Sequence, residues 1–157
     1  MQRHKIDLIV SNYLPKLADD RKIYSRHVAR LPISIFGSKK FLKLKKKFPS
    51  SLQDQPFVIP TSHSKLNYDL QNYFKHNNIS VDIIAETQDT ALQKIFGIEE
   101  LALVPLADHV AASYVKNKQL YNLGTIPNVY EDIYLLSNSR KIENPISSQL
   151  VKHFKIV

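Results

Sequence analysis

The chain has 157 residues, 43% of them hydrophobic, no cysteine and a formal charge of +8. That length suits about one domain with a real core, and the lack of cysteine removes disulfides, thiolate zinc sites and cysteine nucleophiles. No apolar run approaches the roughly 18 residues a membrane span needs, and the charged start Met1-Gln2-Arg3-His4-Lys5-Ile6-Asp7 lacks the apolar stretch of a secretory signal. The expected setting is therefore cytoplasmic, with no membrane partner.

Ile6–Ser11 is nearly all apolar after Asp7 and predicts a buried parallel strand. Asn12–Arg30 is charge-rich and reads as irregular. Leu31–Gly37 predicts a second strand, with Pro32 at its start or edge. Ser38–Ser51 is a basic connector. In it Lys39, Lys40, Lys43, Lys45, Lys46 and Lys47 alternate with Phe41, Leu42, Leu44 and Phe48, the pattern of a packed edge with its charges outward.

Three strand-turn-helix units follow. Phe57–Pro60 leads through Thr61–Ser64 to a helix over Lys65–Asn77. Val81–Ile84 leads through Thr87–Asp89 to a helix over Thr90–Phe96, which Gly97 is placed to stop. Leu101–Val104 leads through Pro105–Asp108 to a helix over His109–Lys116. Apolar residues recur at helical spacing: Leu66, Leu70, Tyr73 and Phe74, then Ala91, Leu92, Ile95 and Phe96. A short strand is expected at Leu120–Leu123 and a longer one at Asp132–Ser137. A last helix starts at Pro145, capped by Asn144, with Ile146, Leu150, Val151 and Phe154 inward.

Strand alternating with helix predicts an α/β fold with a parallel sheet. The helix starts then gather at one sheet edge, where open α/β sheets bind ligands. Thr61, Ser62 and Ser64 open one helix there. Their hydroxyls serve as helix caps, and the same turn can hold a ligand oxygen. His63 lies in that turn, where a loop histidine is ordinarily solvated. Asp89 is an N-cap at the next corner, and Val104 and Pro105 close the third strand. Enzyme signatures are absent from the sequence. Only Gly37, Gly97 and Gly124 occur, so no glycine-rich phosphate loop or nucleophile elbow can form, and the six histidines show no metal-ligand spacing. No cofactor, metal or catalytic residue is expected.

The order of these elements, and a first strand that begins with no helix before it, resemble the effector-binding domain of LysR-type transcriptional regulators. The resemblance rests on His4–Ser11, Phe48-Pro49-Ser50-Ser51-Leu52, Phe57–Pro60, Asn78–Glu86, Asp89–Gly97 and Asn128–Tyr134. Within the family it runs to regulators of sodium/proton antiporter expression. It implies a periplasmic-binding-protein-like, two-lobed α/β domain, N-terminally truncated. Residues 1–37 and 129–157 would form an incomplete lobe I; residues 38–128 would form the connector and a complete lobe II. It also implies an effector cleft between lobes, with Ser11 and Asn12 facing Thr61, Ser62, His63, Asp89, Val104 and Pro105. Transcription activation would answer sodium or a small ligand. DNA would be met only through a winged helix-turn-helix domain missing from this sequence, and side-by-side pairing in the family implies a homodimer.

A tension accompanies the sodium response. Helix N-termini attract anions, so sodium would need carboxylates such as Glu86 and Asp89, and an organic anion fits at least as well. The alternatives are a periplasmic-type small-solute-binding protein, a small α/β enzyme using the same cleft, and a basic nucleic-acid binder working through the lysine cluster.

Overall fold

In the computed structural model, residues 6–14, 23–137 and 144–156 are described. The chain divides into two compact units, residues 1–31 with 132–157 and residues 32–131. Both divisions fall inside continuous strands, β2 (Tyr24–Gly37) and β6 (Tyr121–Ser137). They differ from the expected boundaries at 37/38 and 128/129. Each strand runs on through its division, so no break in local structure marks it.

In the second unit, β3 (Pro56–Ile59) runs parallel to β4 (Asp82–Glu86), with Ile59 opposite Glu86. Phe57 bridges in parallel to Leu103, beside β5 (Val104–Ala107), and β5 pairs antiparallel with Ile33–Phe36 of β2. The sheet is thus mixed rather than purely parallel. Pro105 sits opposite Ile35 within it, at the body of β5 rather than in the expected turn.

Helix α1 (Lys65–His76) packs Leu70 and Phe74 inward, and Phe74 meets Phe57 edge-to-face at 5.5 Å. Helix α2 (Thr90–Ile98) turns a different face inward from the one its apolar spacing predicts. Leu92 and Ile95 are exposed, while Gln93 and Gly97 are buried. Two contacts explain this. The Gln93 amide donates to the Thr87 carbonyl at 3.3 Å, which satisfies a polar group indoors. A Cβ on Gly97 would lie 3.0 Å from Leu120 and 3.1 Å from Val104, so glycine lets the helix approach the sheet instead of stopping it. Helix α3 (Asp108–Lys116) buries Ala111. The core joins Phe36, Val58, Ala102, Val104, Leu106, Ala111 and Leu120, with Phe96, Ile98 and Tyr114 against it.

The basic connector folds into a 3-10 helix over Lys39–Lys47, followed by a short one over Ser50–Leu52. Phe41 and Leu44, three residues apart, eclipse on its inner side and are buried.

In the first unit, β1 (Ile9–Ser11) pairs antiparallel with Tyr134–Leu136 of β6, so the expected parallel strand is shorter and reversed in sense. Residues 24–30, expected as irregular, are strand. Helix α4 (Pro145–His153) is capped by the Asn144 side chain, which accepts from Ile146 and Ser147 at 3.0 and 3.4 Å. Its inner residue is Ser147, whose hydroxyl donates to Asp7, whereas Ile146 is 72% exposed. His4 and Lys5, which open the first matching stretch, lie outside the described residues.

Phe36 is 1% exposed at the centre of the second unit's core. Phe36→Ala is expected to cost about 3–5 kcal/mol, read as a lower urea midpoint with an unchanged m-value; a loss under about 1 kcal/mol would contradict this packing.

Candidate functional site

Two strand-to-helix turns meet at the end of the β3–β4 pair. The parallel register, Ile59 opposite Glu86, carries the chain ends out side by side. The Gln88 amide donates to the Thr61 hydroxyl at 2.8 Å, and the Ser62 N–H donates to the Glu86 carboxylate at 3.0 Å. The Thr87 N–H donates to the Ile59 carbonyl at 3.0 Å. Three bonds thus lock the two corners into one rim.

Each corner then opens a helix. Ser64 caps α1 by accepting the Asn67 N–H, and the Asn67 side chain donates back to the Pro60 carbonyl at 2.6 Å. That bond is why an asparagine occupies a buried helix position. Asp89 caps α2, accepting from Ala91 at 2.8 Å and Leu92 at 3.3 Å. Capping of this kind satisfies helix-start N–H groups and places negative charge where the helix dipole favours it.

Of the residues expected to line a cleft, Thr61, Ser62 and Asp89 are brought together here, and His63 is exposed in the same turn. Val104 and Pro105 are not at this rim. Val104 is 0% exposed inside the core cluster, and Pro105 is buried in mid-strand. β5 begins three residues later than its apolar run suggests. The strand runs on to Ala107, where α3 begins. Ser11 and Asn12 belong to the first unit. The Ser11 hydroxyl is engaged in its own turn, donating to the Tyr13 carbonyl at 2.8 Å and accepting the Tyr13 N–H at 3.1 Å. Among the described residues, no three metal-ligating side chains converge.

A second polar constellation, in the first unit, has no counterpart among the expected residues. Asp132 is 8% exposed and accepts from Arg30 at 2.8 and 3.2 Å, while His27 Nε2 lies 2.8 Å from the same carboxylate. His27 also meets Tyr134 edge-to-face at 5.2 Å. The hydrogen bonds from Arg30 hold the Asp132 carboxyl below its ordinary value, against the opposing effect of burial. The one signal in the sequence is a carboxylate opening an apolar run, which demands a cation when buried. Its partners lie more than 100 positions away, so spacing does not reveal them.

A groove of about 780 Å³ runs along the second half of α1, lined by Phe48, Pro49, Tyr73, His76, Asn128 and Val129 among others. It involves none of the turn residues.

No protein-family model matches the chain. Over 145 residues it is 26% identical to the transcriptional activator protein NhaR of Escherichia coli strain K12, a match covering 92% of this chain and 48% of that protein. The chain is similar to the LysR-type transcriptional regulators. Its fold is that of their regulatory domain, a periplasmic-binding-protein-like one. The regulatory domain of CcmR from Synechocystis PCC6803, in complex with 2-PG, superposes with a TM-score of 0.67 at 14% identity, covering 97% of this chain and 73% of that one. CbnR, a LysR family transcriptional regulator, superposes with a TM-score of 0.73 at 16% identity, covering 94% and 51%. The chain therefore spans about half the length of the curated relative it matches.

The Asp132 cluster has a pH signature. A carboxyl held low in the folded state adds stability in full above its unfolded value near 3.9, and the contribution fades as pH falls through the lower folded value. Arg30 is largely exposed, which screens the pair. Asp132→Asn is expected to cost about 1–2 kcal/mol at pH 7, with the gap between variant and parent closing below about pH 4. Urea denaturation at several pH values checks this, and a gap independent of pH would contradict it.

Proposed function

We propose that this chain is the effector-sensing part of a LysR-type transcriptional activator, and that the locked rim at Thr61, Ser62, Gln88 and Asp89 is where its second unit meets the effector. The observation that carries the reading is the Thr61–Gln88 and Ser62–Glu86 pair of bonds, which fixes two helix starts side by side at a strand edge. Preformed polar groups of this kind orient a small solute. The effector shifts the population between two arrangements of the regulator, and an attached DNA-binding domain responds. His63 stands beside the rim, Ser11 and Asn12 are the first unit's candidates, and Val104 and Pro105 support the strand from the core.

The solute class follows from the helix starts, whose dipoles favour an anion. CcmR carries 2-PG on this fold, which supports a small organic anion. Sodium is the second reading, favoured by the Glu86 and Asp89 carboxylates at the rim. Each of these already accepts backbone N–H groups, however, so one oxygen of each is engaged before a cation arrives.

A thermal-shift screen of the 157-residue chain with sodium, lithium and small organic carboxylates and phosphates tests both. At 100-fold over its Kd a true effector stabilises by about 2.7 kcal/mol, or roughly 5–10 °C for a chain of this size. Thr61→Val is expected to abolish that shift. A screen with no saturable shift, or a shift that survives Thr61→Val, would overturn the assignment.

A further inference from the structure

The lysine-rich segment folds into a rigid, unneutralised cationic ridge. In a 3-10 helix, residues three apart eclipse. Phe41 and Leu44 take the inner row and are buried, which turns the remaining rows outward. One outer row is Lys40, Lys43 and Lys46, spaced about 6 Å apart at 2.0 Å rise per residue; the flanking row carries Lys39 and Lys45. All six lysines of the segment are exposed.

The ridge is fixed at its far end. The Ser51 hydroxyl donates to the Leu44 carbonyl at 2.6 Å and the Ser50 hydroxyl to the Lys47 carbonyl at 2.8 Å. Its charges are not paired. Among the described residues the single lysine ion pair joins Lys65 to Asp69, far along the sequence. Lys40 donates to the Glu100 backbone carbonyl, which leaves its charge in place. Holding six like charges together without carboxylates costs stability, and an anionic partner removes that cost.

We propose that this ridge docks on the phosphate backbone of duplex DNA. The Lys40, Lys43 and Lys46 row places one positive charge per about 6 Å, close to the spacing of every second phosphate on one strand of duplex, whose phosphates fall about 3.4 Å apart along the axis. Leu42 is the one apolar side chain exposed on the ridge, too little to insert into lipid. The relative named as a transcriptional activator gives a chain that acts at DNA. Contact of this kind positions without reading sequence. It differs from the expectation that DNA is met only through a helix-turn-helix domain, and it is independent of the solute-sensing rim.

The experiment is fluorescence anisotropy of the 157-residue chain on a duplex of arbitrary sequence, titrated from about 20 mM salt upward, with phosphatidylserine-containing vesicles as a second probe. The expected result is binding at low salt with a log–log salt slope of about −3 to −5. Lys43→Gln/Lys45→Gln/Lys46→Gln is expected to reduce that slope by about 2–3 with a melting temperature no lower than the parent's. Lys75→Gln/Lys116→Gln/Lys152→Gln, which removes the same charge elsewhere, is expected to leave the slope within about 1 of the parent. No binding at low salt, equal losses from the two triple variants, or preference for the vesicles would each overturn the proposal.

Discussion

Backbone N–H groups in a turn need an acceptor, and in this chain the Ser62 and Thr87 N–H groups find theirs in the neighbouring corner, while Ser64 and Asp89 cap the helices that follow. That constraint organises the second unit. The parallel β3–β4 register brings two chain ends out together. Glu86 then takes the Ser62 N–H, Thr61 takes the Gln88 amide, and Asp89 and Ser64 close the helices they precede. Remove the register and the bonds have no partners; remove the bonds and two exposed corners would move separately.

The core beneath supports this arrangement by close approach. Gly97 lets α2 lie against Val104 and Leu120, and buried Gln93 fastens the same helix to the Thr87 carbonyl. They also free Leu92 and Ile95 to face outward, against the simple apolar pattern. In the first unit the corresponding tie is electrostatic. Asp132 gathers Arg30 and His27 from β2 onto β6, so a buried carboxylate aligns the two long strands there.

Much of this was legible in the sequence, for definable reasons. The helices α1 and α3, the Asn144-Pro145 start of α4 and the rim turn at Thr61–Ser62 carry local signals, namely caps, helical spacing and an apolar run ending in hydroxyls. What failed depends on distant contacts. Pro127 and Gly124 make β6 look like two short strands, yet seventeen residues run on because partners on either side supply the ladder. Pro105 looks like a turn residue and instead sits inside β5, which displaced Val104 and Pro105 from the rim to the core. The charged residues of Tyr24–Arg30 hide a strand in which His27 and Arg30 meet Asp132 and Arg26 donates to the Phe154 carbonyl. Each of these misses is a pairing made across about seventy positions or more, which no local pattern records.

The central claim is that the locked pair of turns is the solute-facing surface of the second unit. Amide NMR titration of the 157-residue chain with a small organic phosphate or carboxylate tests it most directly. The account predicts saturable shifts concentrated at the backbone amides of Thr61, Ser62, Gln88, Asp89 and Ala91. Shifts confined instead to the Tyr73 and Asn128 groove, or to Lys39–Lys47, with the rim amides unmoved, would contradict it.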